Sequence, residues 1–300
     1  MRLTTTFAET RAAMRTATDR IAGLVPTLGY WHEGHVALAE AARRESDVVV
    51  ASIFVNPLQF NQQADLEAYP RDVDRDAGIA DAAGVDVLFV PDASEMFSEP
   101  PMTRVSIDAL SGGPEGERRP GHFSGVATVV TKLLAGVQPD RAYFGRKDAQ
   151  QLALVSRLVR DLSLPVEIQP VATVREFDGL ALSSRNARLT SGGRAAAVSL
   201  SSGLMRAADA VDAGERSAAV LVEIAMEAME RAPGVRPEYA VVAGADDVQE
   251  IETVDRVSFL AVAATVGDVR LIDNLYLDFD EGRVAPDRGV WLQEPSAVYR

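Results

Sequence analysis

An α/β fold, in which a Rossmann-like doubly wound parallel sheet is followed by a second, smaller α/β domain, is predicted for this 300-residue chain from three observations. The run 47–55 is β-branched and apolar without alternation, as suits a strand buried on both faces of a parallel sheet. Similar runs at 21–25, 85–90, 140–145 and 166–169 are separated by segments of helical period. From about residue 190 the texture changes to an Ala-rich helical pair and then three strand-like runs. The division is placed as 1–175 for the larger, parallel-sheet domain and 176–300 for the smaller one.

Taken in order, 5–20 reads as a polar, Ala/Arg-rich helix before the strand at 21–25. Val36, Leu38, Ala39, Ala41 and Ala42 give the next helix an apolar stripe, to about Glu45. After 47–55, the segment 72–83 is helical and 85–90 a strand. The Pro- and Gly-punctuated stretch 91–121 reads as a long loop with a short strand at 104–107, either a functional lid, as long connections of this kind often are, or a disordered surface insertion. Val126, Val129, Val130, Leu133 and Leu134 then form the buried face of a helix over 122–137. Asp178-Gly179 between apolar runs is a two-residue hairpin signal. Counting outward pairs Phe177 with Leu180 and Val174 with Ser183, and makes Ser183, Ser184 and Arg185 a polar tip. Helices at 193–213 and 217–231 precede strands at 238–243, 256–264 and 269–277, and the polar tail from 281 has no assigned element.

Composition narrows the function classes. A net charge of −14 argues against nucleic acid or anionic membrane as the main partner. With no cysteine there are no disulfides, thiol nucleophiles or thiolate metal sites. No apolar run approaches the ~20 residues of a membrane span and no signal-peptide pattern opens the chain, so a cytoplasmic protein is expected.

Two of the three histidines, His32 and His35, stand three apart where a strand turns into a helix. A helix N-terminus offers unpaired N–H groups and partial positive charge to an anion, and imidazoles there add donors. Lys147 opens a second strand-to-helix junction, Gln59 follows the strand at 47–55, and Arg185 sits on the hairpin tip. In a doubly wound sheet such strand ends gather at the switch in strand order, so these residues are expected to converge on one crevice. Cationic and hydrogen-bond-donating groups suit charge developing on phosphorus, without a carboxylate cage for two-metal hydrolysis. The chain lacks both the P-loop and the Gly-x-Gly-x-x-Gly patterns. Nucleotidyl transfer at the α-phosphate of a nucleoside triphosphate fits best.

Pro26-Thr27-Leu28-Gly29 followed by His32-Glu33-Gly34-His35 resembles the His-x-Gly-His signature of class I synthetase-like nucleotidyltransferases. With 54–60, 144–151 and 182–186, and with Tyr69-Pro70-Arg71, 119–126 and 270–274, it resembles the pantothenate synthetase (pantoate–β-alanine ligase) family along nearly the whole chain. The resemblance implies an AMP-forming carbon–nitrogen ligase of pantothenate biosynthesis with ATP, Mg²⁺, pantoate and β-alanine as its small molecules, and a homodimer. It implies catalytic roles for His35, His32, Lys147 and Arg185. ATP would meet Pro26, Leu28, Gly29, His32, His35, Gly145, Lys147, Asp148, Val174, Leu182, Ser183, Ser184 and Arg185. Gln59, Gln151 and Asn56 would hold the substrates, and Asp76 is the candidate magnesium ligand. The chain departs from the family's usual residues at Leu28, Tyr30, Trp31, Arg146, Ala149 and Leu182. Tyr30 and Trp31 either reshape the acid pocket or pack into the core, and Arg146 reverses a charge beside Lys147. The rival readings are an adenylate-forming ligase for another acid or amine, and a non-catalytic nucleotide-binding relative.

Overall fold

The structure is a computed structural model that describes residues 1–14, 20–61, 63–97 and 101–296. Contacts divide the chain into two compact units, the first 1–145 with 154–171, the second 146–153 with 172–300. The contact pattern breaks at 171/172, close to the division expected at 175/176, with an excursion at 146–153.

The first unit begins with β1 (Arg2–Thr4), α1 (Phe7–Met14), β2 (Ala22–Thr27), α2 (Glu33–Glu45) and β3 (Val48–Ile53). Of the helix expected over 5–20, the part at 15–19 lies outside the described residues. There follow α3 (Gln63–Glu67), α4 (Val73–Ala82), β4 (Val87–Phe89), α5 (Ala93–Met96), α6 (Asp108–Ser111), α7 (Gly113–Gly116) and α8 (His122–Val137). The unit ends with β5 (Arg141–Gly145), α9 (Ala149–Asp161), whose first turn is grouped with the second unit, and β6 (Glu167–Val171). These six strands form one parallel sheet in the order β1-β4-β3-β2-β5-β6. The order reverses between β2 and β5, which is the switch point where doubly wound sheets bind ligands. All six residues of β3 are buried, as a strand covered on both faces requires.

No strand forms at 104–107. The backbone of Val105 is satisfied by side chains of α8 instead: its N–H donates to Thr128 Oγ1 at 3.0 Å, and its carbonyl accepts from Ser124 Oγ at 3.2 Å. The stretch read as loop carries the short helices α5, α6 and α7.

The second unit contains β7 (Val174–Arg175), α10 (Ser191–Asp212), α11 (Ala218–Glu230), β8 (Val235–Gly244), β9 (Ser258–Val266), β10 (Val269–Asp280), β11 (Arg283–Asp287) and β12 (Val290–Trp291). An antiparallel sheet, β11-β10-β9-β8, is packed against α10 and α11 by Leu200, Leu204, Leu221, Leu260, Leu275 and their neighbours. The polar tail thus holds two strands: β11 extends this sheet, and β12 pairs in parallel with β7.

The hairpin differs from its expected register by one residue. Glu176 N–H donates to Leu180 O, Gly179 N–H to Glu176 O, and Leu182 N–H to Val174 O, at 2.8, 2.8 and 3.0 Å. Arg175 faces Ala181. Phe177, Asp178 and Gly179 therefore make a three-residue connection that Gly179 closes at φ +94°, a conformation natural to glycine. Val174 lies opposite Leu182 rather than Ser183.

Candidate active site

In the first unit the turn after β2 is built by three buried side chains. Thr27 Oγ1 donates to Ser52 O at 2.8 Å and accepts from Gly29 N and Trp31 Nε1, each at 3.1 Å. Gly29 and Tyr30 both take positive φ, +87° and +54°, which aims two successive amides inward. Asp76 receives them: Tyr30 N–H donates to Oδ2 at 2.6 Å and Trp31 N–H to Oδ1 at 2.7 Å. Arg75 completes the clamp, donating to Asp76 Oδ1 at 3.1 Å and to Trp31 O at 2.9 Å, with its guanidinium 5.1 Å from the Tyr30 ring centre. Burial, the largest influence, raises the Asp76 pKa in spite of these donors. Trp31 is fully buried in the core with Val25, Leu38 and Val49, so this aromatic is a packing residue.

The clamp delivers His32 to the N-cap of α2. His32 Nδ1 accepts from Gly34 N–H at 3.1 Å, and His35 Nδ1 accepts from His32 N–H at 3.2 Å. An accepting Nδ1 in a neutral imidazole fixes the proton on Nε2, so both rings carry an Nε2–H donor. The rings lie 4.1 Å apart, and a Cβ on Gly34 would come within 2.9 Å of His32.

A second cluster forms after β3. The buried Asn56 side chain accepts from Leu58 N–H and donates to Gln59 Oε1 at 3.0 Å and Gly125 O at 3.1 Å. His122 is held the other way round from His32. Arg119 Nη1, which can only donate, meets His122 Nε2 at 2.8 Å, so Nδ1–H donates to Gln59 O at 2.8 Å. Gly125 admits this close approach, since a Cβ there would meet Leu58 O at 2.3 Å.

In the second unit, Lys147 and Asp148 lie in the turn before α9, with Lys147 Nζ 3.4 Å from Asp148 Oδ1. Asn274 Nδ2 donates to the carbonyls of Arg146 and Lys147 at 2.9 and 2.6 Å. Arg146 pairs bidentately with Asp278 (2.9 and 3.1 Å) and reaches Asp287 at 2.8 Å. Its reversed charge is matched by carboxylates of its own unit. Ala149 and Gln150 are buried and Gln151 half-buried on the first turn of α9. Val174 and Leu182 are buried on the hairpin, while Ser183, Ser184 and Arg185 are half-buried. Ser183 Oγ accepts from Arg185 N–H at 3.3 Å.

The structure therefore brings His32, His35 and Asp76 together in one cluster and Asn56 and Gln59 in another; Lys147 and Ser183–Arg185 belong to the second unit. There Ser183 caps a short 3₁₀ helix (Ser184–Arg188) after the hairpin, whose tip is Phe177–Gly179 instead. Asp76 occupies a different place from that of a solvent-facing metal ligand, because both oxygens hold backbone amides. Among the described residues no group of three or more His, Asp or Glu side chains could hold a metal ion. Sequence reasoning gave no role to Arg75, Arg119, Arg175, Asp273 or Asn274. Signals existed for three of them, since Arg119 shares one motif block with His122, and Asp273 and Asn274 share another.

A family profile described as Pantoate-beta-alanine ligase matches residues 2–276. The chain is 47% identical over 283 residues to the pantothenate synthetase of Moorella thermoacetica, covering 94% of this chain and all of that one. It is 49% identical over 256 residues to that of Geobacillus kaustophilus, covering 85% of each. The crystal structure of the Thermus thermophilus pantothenate synthetase superposes with a TM-score of 0.86 at 45% identity, over 92% of this chain and 99% of that one. A pantoate–beta-alanine ligase from Francisella tularensis, complexed with beta-gamma ATP and beta-alanine, gives 0.70 at 31% identity, over 92% and 97%.

Proposed function

Because the chain belongs to the pantoate–beta-alanine ligase family, we propose that it joins pantoate to β-alanine through a pantoyl adenylate. The observation that carries this reading to residues is the His32/His35 cap, which presents two Nε2–H donors at a helix N-terminus beside the switch point of the sheet.

In the first step a pantoate carboxylate oxygen attacks the α-phosphorus of ATP. The new P–O bond forms as the bond to the β-phosphate oxygen breaks, giving the mixed anhydride and pyrophosphate. In the second, the unprotonated amine of β-alanine attacks the acyl carbon, the C–O bond to AMP breaks, and the nitrogen loses its extra proton. The turn from Pro26 to His35, with Leu28 and Gly29, holds the triphosphate, and His32 and His35 donate to it as its charge grows. Donors that strengthen in the transition state lower the barrier, each typically by about 3 kcal/mol. Lys147 supplies further positive charge. Gly145, Asp148 and the hairpin residues Val174, Leu182, Ser183, Ser184 and Arg185 bind the nucleotide. Gln59, steadied by Asn56, and Gln151 hold the pantoate.

Asp76, whose two oxygens already accept backbone N–H groups, is not proposed as the magnesium ligand. Mg²⁺ is proposed to arrive on the phosphate oxygens of ATP, as is usual for this ion. No step is derived through it. Among the described residues no helix is long and apolar enough to cross a membrane. Cytoplasmic residence and a homodimer complete the proposal, the latter to be checked by sedimentation.

Incubation with ATP, Mg²⁺, pantoate and β-alanine, following AMP and pantothenate together, tests the reading. Equal yields of the two, with AMP release dependent on the amine, are expected. AMP without pantothenate would overturn it.

A further inference from the structure

The family profile ends at residue 276, and the two carboxylates that hold Arg146 come after it. The segment 278–296 is nevertheless tied at several points to residues that flank the proposed nucleotide contacts of the second unit. Asp278 and Asp287 bind Arg146, whose guanidinium also lies 4.8 Å from the Tyr276 ring centre. Asp287 does two things at once: Oδ2 takes Arg146, and Oδ1 accepts from Gly289 N–H at 2.9 Å. Gly289, at φ +77°, turns the chain so that Val290 N–H donates to Thr173 O and Leu292 N–H to Arg175 O, each at 2.8 Å. A Cβ on Gly289 would sit 2.3 Å from Thr173 O. Farther along, the Trp291 ring packs on Gly179 at the hairpin turn, and Ser296 N–H donates to Glu176 Oε2 at 3.2 Å. On its outer side Arg288 is held by Asp209 and Asp212 of α10.

We propose that this C-terminal strap, with Asp287 at its centre, is a positioning element for nucleotide binding: through Arg146 it sets the turn that carries Lys147, and through β12 it sets the hairpin that carries Val174 and Ser183. The proposal rests on the reading of Lys147 and the hairpin as nucleotide contacts. Arg146, one of the departures from the family's usual residues, and the strap act together. The Arg146 guanidinium finds three carboxylate oxygens there, in the planar geometry that suits it.

The chain's only lysines, Lys132 and Lys147, make a direct test possible. Lys132 lies on α8, in the first unit, and serves as the internal reference. The full-length protein and its Asp287→Ala and Arg146→Ala variants are acetylated briefly with an N-hydroxysuccinimide ester, and the Lys147:Lys132 labelling ratio is read by mass spectrometry. Freeing the turn raises the ratio about threefold or more in both variants, whereas general loosening raises both lysines and leaves it unmoved. Should Asp287→Ala fail to fold, Asp287→Asn keeps the acceptor for Gly289 and removes only the charge. In ATP–pyrophosphate exchange, half-saturation by ATP rises about tenfold while that by pantoate stays within about twofold. A ratio within about 1.5-fold of wild type in both alanine variants overturns the proposal. Wild-type protein without exchange activity would refute the ligase reading, and the labelling ratio would still decide whether the strap holds the turn.

Discussion

His32 and His35 cap each other: the backbone N–H of His32 is taken by the His35 ring, and the His32 ring takes the N–H of Gly34. Each imidazole thus spends Nδ1 on the backbone and keeps a proton on Nε2. The same atoms that start the helix also fix the tautomer that the proposed chemistry uses. Protonation of either ring would turn Nδ1 into a donor and set it against an N–H, so the cap and the charge state are coupled.

This predicts a separation of roles at position 32. His32→Asn keeps a short acceptor at an N-cap, a position where Asn is among the best residues, but has nothing in place of Nε2–H. His32→Ala loses both. Adenylate formation is expected to fall by about two decades in each, while only the alanine variant loses about 1 kcal/mol of stability. Single-turnover rates with pantoate, set beside urea titrations, check it; an asparagine variant with near-normal rates would remove His32 from the chemistry.

How much of this was legible in the sequence depended on the range of the interactions. The buried run of β3 and the helix α8 were, because the signal is local: each residue's burial follows from its neighbours' period. The strand at 104–107 was misread because Val105 takes its hydrogen bonds from side chains some twenty positions away. The hairpin's existence was legible from Asp178-Gly179, but its register depends on which residue takes the positive φ, and Gly179 is the third of three. Arg146 read only as a charge reversal beside Lys147, because its partners lie 132 and 141 residues along the chain. For Trp31 the sequence left pocket wall and core both open, and the path of the turn places it in the core.

The Asp76 clamp gives a pH dependence of known sign. Burial raises the Asp76 pKa above 3.8, so between that value and the folded-state value the native state binds more protons than the unfolded one. Stability contributed by this group therefore falls as pH rises through the window. Asp76→Asn does not titrate, and it leaves one of the two turn amides facing an NH₂ group, at a cost of about 1–3 kcal/mol. The wild-type advantage over Asp76→Asn should be greatest near pH 4 and shrink toward neutrality. Paired denaturation curves across that range would show it, and an advantage that grew with pH would mean that the amide and guanidinium donors outweigh burial at this carboxylate.

Gly125 tests the proposed pantoate contact. Its Cα lies where a side chain would strike Leu58 O and Gln59 N, at 2.3 and 2.7 Å, so Gly125→Ala must push the Asn56–Gln59 turn away from α8. Half-saturation by pantoate is expected to rise about tenfold while that by ATP changes little, as for loss of a contact made to one substrate. Initial-rate measurements over both substrates check this. Equal effects on the two would place Gln59 outside the acid's contacts.

Arg175 and Asp273 form the most deeply buried ion pair among the described residues: Nη1 donates to Oδ2 at 2.6 Å and Nη2 to Oδ1 at 3.1 Å, with side chains 0% and 2% exposed. The guanidinium also donates to the carbonyls of Gly179, Asn274 and Arg288. It thereby joins the hairpin, β10 and the residues before β12. Removing one partner strands the other charge in a low-dielectric interior, which typically costs about 3–5 kcal/mol, whereas replacing both with apolar groups is often close to neutral. Arg175→Met and Asp273→Leu should each lower stability by about that amount, Arg175→Met less severely if Asp273 takes up a proton. The double variant should be more stable than either single one, though not fully restored, because the three carbonyls lose their donor. Urea midpoints of the four proteins measure the coupling. Additive losses would show that the pair's charges are not what holds these segments together.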